Sequence, residues 1–169
     1  MPRAMTMADI TRVRQDFVAS ARRARDAGFG WLMLHFAHGY LAQSFLSTHS
    51  NQRDDGYGGS LENRARFLVE TLQEVRAVWP EDRPLSARLG MIEFDGQDEQ
   101  TLRDAITVAR TFRDSGLDFL DVSIGFSTPD AKIPWGPSFM APIAQRVRHE
   151  TGLPVATSWY LAMPKPLTG

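Results

Sequence analysis

Apolar positions recur along this chain in blocks whose period switches repeatedly, and the blocks predict helices alternating with strands. From Thr6 onward, Ile10, Val13, Phe17, Ala21 and Ala24 fall at helical spacing. Thr6 and Asp9 make a capping-box start, and Gly28 is placed for a left-handed stop. The apolar run Trp31-Leu32-Met33-Leu34 then predicts a buried strand reaching His35, with a polar loop after it to about Ser60. A second helix carries Leu68, Leu72 and Val75 on one face and is closed by Trp79-Pro80. A short strand is expected over 85–89, a third helix after Asp98 with Leu102, Ile106, Ala109 and Phe112 inward, and a strand over 119–123. A fourth helix is expected to start near Pro137, carry Phe139, Ile143 and Val147, and stop at Gly152 before a last strand at 154–157.

Three helix ends repeat one pattern: Ala27-Gly28-Phe29, Ser115-Gly116-Leu117 and Thr151-Gly152-Leu153 each lead from glycine into an apolar residue and a strand. Such alternation argues for an α/β fold with a parallel sheet and crossover helices. Four helix-strand units amount to about half of an eight-stranded (β/α)8 TIM barrel. A doubly wound open sheet is the competing fold, and no glycine-rich dinucleotide fingerprint supports it.

Composition narrows the function. The 169 residues suffice for one domain with a hydrophobic core. A net charge of −1 and a pI of about 6.4 argue against nucleic-acid or anionic-membrane partners. Zero cysteines exclude disulfides and thiol catalysis and fit a reducing, cytoplasmic setting. No window approaches the roughly 18 apolar residues of a membrane span. The first five residues lack the apolar core of a signal peptide.

The chemistry concentrates in His35-Phe36-Ala37-His38-Gly39-Tyr40. Two imidazoles and a phenol follow directly on an apolar run, which places proton donors at the carboxyl end of a strand, where barrels carry their active sites. Such a cluster suits reduction of a polarised carbonyl compound. Metal binding is disfavoured, since no cysteine and no acidic third ligand accompany the histidines. A satisfied core histidine remains open for either ring. Elsewhere the bland readings lead. The charges of 51–67 pin a long loop to the second helix with Gly58-Gly59 as its turn, and Arg88 alone reads as half of a strand-end ion pair. Trp135 reads equally as a pocket wall or, beside Pro134 and Pro137, as a loop anchor.

Two blocks carry a resemblance. The first runs from Ala27-Gly28-Phe29 through His35-x-x-His38-Gly39-Tyr40-Leu41. The second is Ser50-Asn51-Gln52-Arg53-Asp54-Asp55-Gly56-Tyr57-Gly58-Gly59-Ser60-Leu61-Glu62-Asn63-Arg64-Ala65-Arg66-Phe67. Together they resemble the Old Yellow Enzyme family of flavin-dependent ene-reductases. The paired histidines and Ile133-Pro134-Trp135-Gly136-Pro137 are similar to its xenobiotic reductase and bacterial NADPH dehydrogenase branch. The resemblance covers nearly all of 1–159 and implies a partial TIM-barrel flavin oxidoreductase domain there, using FMN with NADPH or NADH as hydride donor. It implies reduction of activated C=C bonds in α,β-unsaturated carbonyl compounds, or of nitro compounds.

The same resemblance assigns roles. His35 and His38 would hydrogen-bond the substrate oxygen, Tyr40 would protonate the carbon alpha to the carbonyl, Arg88 would contact the flavin pyrimidine, and Trp159 would shape the substrate pocket. A phenol stays protonated at neutral pH and a guanidinium keeps its charge, so both suit those tasks. By the same comparison, the first three strands, the eighth strand and the phosphate-binding turns lie outside this chain's pattern. Tyr160-Leu161-Ala162-Met163-Pro164 follows Trp159 where the family has glycines, and 160–169 reads as a divergent, poorly ordered tail. Two expectations follow: a homo-oligomer that completes the barrel around a small-molecule site, or a catalytically silent truncated half-barrel or self-association module that does not retain FMN.

Overall fold

The computed structural model describes residues 3–159, so the expected tail over 160–169 lies outside the described residues. Its elements run α1 (Met7–Asp26), β1 (Leu32–Phe36), α2 (Leu41–Leu46), α3 (Leu61–Arg76), β2 (Leu85–Ile92), α4 (Asp98–Asp114), β3 (Phe119–Ile124), α5 (Ala141–Thr151) and β4 (Val155–Ala156). The strands form one parallel sheet in the order β1-β2-β3-β4. Each crossover carries a helix, and α1, α3, α4 and α5 pack in sequence as neighbours along one face. That is the βα progression of a barrel wall. Among the described residues no helix is long and apolar enough to cross a membrane.

Local chemistry explains the boundaries. Thr6 and Asp9 form the reciprocal capping box that opens α1. Gly28, Gly116 and Gly152 take φ of 84°, 90° and 72°, so the repeated glycine pattern marks three left-handed helix stops. Leu34, Phe36, Leu85, Ala87, Leu89, Leu120, Val122 and Ile124 are buried against the helices. Phe36 meets Phe17 of α1 and Phe112 of α4 there.

Four expectations need correction. The loop after β1 is not wholly irregular, because α2 occupies Leu41–Leu46 with Phe45 stacked on Phe67 at 4.5 Å. The last helix starts at Ala141, not near Pro137; Ser138 takes φ 58°, and Phe139 lies before the helix. β2 continues to Ile92, so Arg88 stands mid-strand instead of at its end. β1 begins at Leu32 and runs through Phe36.

The charged block after α2 is structural. Asn51 donates to the Phe45 and Tyr57 carbonyls, and Arg53 reaches Asp55 and the Met5 carbonyl. Arg64 donates to the Leu46 and Gly59 carbonyls, and Arg66 to that of Gly56. These bonds tie the long loop to α2 and α3, beneath the carboxyl end of the sheet.

Candidate active site on the open face of the sheet

Period-two alternation sends His35, Ser86, Arg88, Asp121 and Ser123 to the face opposite the helices. Register then aligns them: His35 pairs with Arg88 across β1 and β2, and Arg88 with Asp121 across β2 and β3. One row of the open face therefore reads His35, Arg88, Asp121. Gly90 and Ser123 form a pair in the row nearer the carboxyl end.

The turn after β1 brings the second histidine over that row. His38 and Gly39 both take positive φ, 63° and 69°. A Cβ at Gly39 would stand 2.6 Å from the Phe126 carbonyl oxygen, so glycine is required where the turn meets the strand-end loop of β3. The His38 N–H donates to the Ile124 carbonyl at 3.3 Å. Tyr40, 65% exposed, follows at the start of α2. The rings cluster: His35 lies 4.9 Å from His38 and 5.3 Å from Tyr40, and His38 lies 5.7 Å from Trp159.

Hydrogen bonds orient both imidazoles. The Ala37 N–H donates to His35 Nδ1 at 3.3 Å, which leaves the proton of the neutral ring on Nε2, free to donate. Buried Ser123 Oγ stands 2.7 Å from His38 Nε2 and accepts from Trp159 Nε1 at 2.9 Å. The arrangement that uses every proton has Ser123 donating to His38 Nε2, so that His38 carries its own proton on Nδ1. Burial pushes both imidazoles below their ordinary pKa. The Arg88 charge pushes the same way on each, and His35 adds to it at His38, while Asp121 opposes both shifts. Both shifts favour the neutral ring, which carries a single N–H.

Arg88 donates from Nε to Asp121 Oδ2 at 2.6 Å, and its Nη2 pairs with the same carboxylate and reaches Ser158 Oγ at 3.4 Å. The ion pair expected from Arg88 alone therefore exists, and it lies on the open face. Phe126 and Trp135 stand 5.8 Å from Trp159, and Trp135 also contacts Phe139 at 5.5 Å. Trp135 thus both anchors its loop and walls the site. The structure brings His35, His38, Tyr40, Arg88 and Trp159 to one face. Asp121 and Ser123, which the sequence reading passed over, complete their hydrogen bonds. Their only signal was a polar residue at alternate positions of an apolar strand. Among the described residues no group of three or more His, Asp or Glu could hold a metal ion.

Residues 1–138 match the model of the NADH:flavin oxidoreductase / NADH oxidase family. The chain belongs to that family. It is 42% identical over 153 residues to an NADPH dehydrogenase of Geobacillus thermodenitrificans strain NG80-2, covering 90% of this chain and 44% of that protein. The fold overlays a 2-naphthoyl-CoA reductase in complex with 2-naphthoyl-CoA at a TM-score of 0.85 and 27% identity, over 96% of this chain and 25% of that one. An old yellow enzyme homologue from Zymomonas mobilis gives a TM-score of 0.76 at 28% identity, over 95% and 44%. The chain thus spans under half the length of the relatives it matches, as a partial TIM barrel.

The open face of this NADH:flavin oxidoreductase family member offers groups that would hold one end of a flavin. Arg88 spends Nε and Nη2 on protein acceptors, and among the described residues its Nη1 has none. Buried Asp121 Oδ1 also lacks a donor. An isoalloxazine pyrimidine has ring carbonyls along one edge, and the unfilled guanidinium N–H of Arg88 is the group that would meet one of them.

Proposed function

We propose that this chain carries the substrate-activating side of an FMN-dependent NAD(P)H oxidoreductase that reduces activated C=C bonds of α,β-unsaturated carbonyl or nitro compounds. The observation that carries the reading is the convergence of two imidazoles and one phenol beside an arginine on the open face. Bound FMN, once reduced by NADPH or NADH, would supply a hydride. His35 Nε2–H and His38 Nδ1–H would donate to the substrate oxygen and stabilise the negative charge that grows there during reduction. Tyr40 gives its proton to the α carbon, which closes the balance of one hydride and one proton across the double bond. Trp159 and Phe126 wall the pocket around His38.

Exposed Trp31 and Met33 lie toward the amino end of the same sheet, and they support self-association as the way this chain covers its open face. A monodisperse monomer in sedimentation analysis contradicts that part.

The test is NADPH oxidation driven by 2-cyclohexenone, with FMN supplied, in the wild type and in His35→Ala. Loss of one oxyanion donor should cost about 3 kcal/mol of transition-state stabilisation, a rate loss on the order of a hundredfold. Unchanged kinetics in the variant would remove His35 from the mechanism. Absence of turnover with FMN unbound would favour the silent half-barrel.

A further inference from the structure

We propose that Asp121 is the positioning residue of this site: it clamps the Nε and Nη2 edge of Arg88, aims Nη1 at the ligand and sets the net charge felt by the histidine pair. The proposal deepens the function above and rests on it for the identity of the ligand.

Burial separates the two partners. The Asp121 side chain is 6% exposed, whereas the Arg88 side chain is 28% exposed. The carboxylate is therefore the fixed member, and the guanidinium head reaches the surface where a ligand would sit. Both clamping contacts fall on a single oxygen, Oδ2, while Oδ1 is buried without a donor. An ion pair kept only for stability is expected to fill its lone pairs, because an unfilled buried acceptor costs about 1–3 kcal/mol. A carboxylate that spends one oxygen on both contacts and leaves the other buried without a donor is accounted for when its task is to hold a cation in place.

Register supplies the second line. His35, Arg88 and Asp121 lie side by side on three successive strands, so the arginine stands between the imidazole and the carboxylate. The charged and titratable groups facing this row are His35, His38 and Tyr40 from the β1 side, Arg88 from β2 and Asp121 from β3. Ser158 and Trp159, after β4, bring no charge. With Asp121 present, the Arg88 charge is largely balanced near the histidines. Without it, a full positive charge stands beside two rings that must act as neutral donors.

The test uses Asp121→Asn and the rescue variant Asp121→Glu, read by NMR without cofactor and by FMN titration. In the wild type, the Arg88 Nε–H signal should be ordered on the 15N relaxation timescale and shifted by its short carboxylate bond. In Asp121→Asn it should join the exposed arginines, the titration midpoints of His35 and His38 should both fall further, and FMN binding should weaken at least tenfold. Asp121→Glu should restore part of each change. An unaltered Arg88 signal and unaltered histidine midpoints in Asp121→Asn overturn the proposal. If that variant does not fold, a mobile Arg88 Nε–H in the wild type overturns it and an ordered one supports it. A wild type that binds no FMN overturns the functional reading, and the NMR results still decide the role of Asp121.

Discussion

The two faces of one four-stranded sheet follow different rules. On the helix side, Leu34, Phe36, Ala87, Leu89, Leu120 and Val122 are interchangeable in kind: each is apolar and each fills volume. On the open side, His35, Arg88, Asp121 and Ser123 are specific in kind, and each touches a polar neighbour at a defined atom. Stability resides in the first face, and the proposed chemistry in the second. The strand alternation that separates them lets one face change with little cost to the other.

The largest expected effect tests the helix side. Phe36→Ala empties a fully buried site between Phe17 and Phe112 and should cost about 3–5 kcal/mol in urea unfolding. His35→Ala, one residue away on the opposite face, should leave the urea midpoint nearly unchanged while costing about 3 kcal/mol in turnover. A comparable stability loss in both variants would break the division between the faces.

Smaller changes sharpen it. Thr6→Ala removes the side-chain cap of α1, and about 1 kcal/mol of stability should go with no effect on the open face. The least change is one of pH slope. Buried Glu93 accepts from the Ser127 N–H at 2.8 Å, and burial pushes its carboxyl above the usual carboxylate value. The folded state therefore holds this proton more tightly than the unfolded one, and stability falls as pH rises from the unfolded carboxylate value through the raised one. Glu93→Gln should remove that fall. His35 and His38 carry the opposite sign. Their folded values are lowered, so stability is lost as pH drops below the ordinary imidazole value toward the lowered ones. Thermal unfolding from pH 4 to pH 8 in the wild type and Glu93→Gln separates the two limbs.

The helix side was legible in the sequence because burial imposes a period there, and glycine marked the three helix stops. Short elements without that period were not. α2 has six residues, and Tyr40 gives its start no side-chain cap. The start of α5 was misplaced because Pro137 imitates a first-turn proline, whereas Pro142 holds that place. On the open side, His35, His38 and Tyr40 could be read together because they are neighbours in sequence. Arg88 and Trp159 entered only through family resemblance. Asp121 had no such cue, since one carboxylate in an apolar strand acquires its meaning from the register that sets it beside Arg88.

Fluorescence titration of FMN with the purified chain, wild type beside Arg88→Ala, tests the open face most directly. Saturable quenching in the wild type and binding at least tenfold weaker in the variant are expected. No saturable binding to the wild type, or equal affinity in both proteins, would contradict the assignment of this face to the flavin.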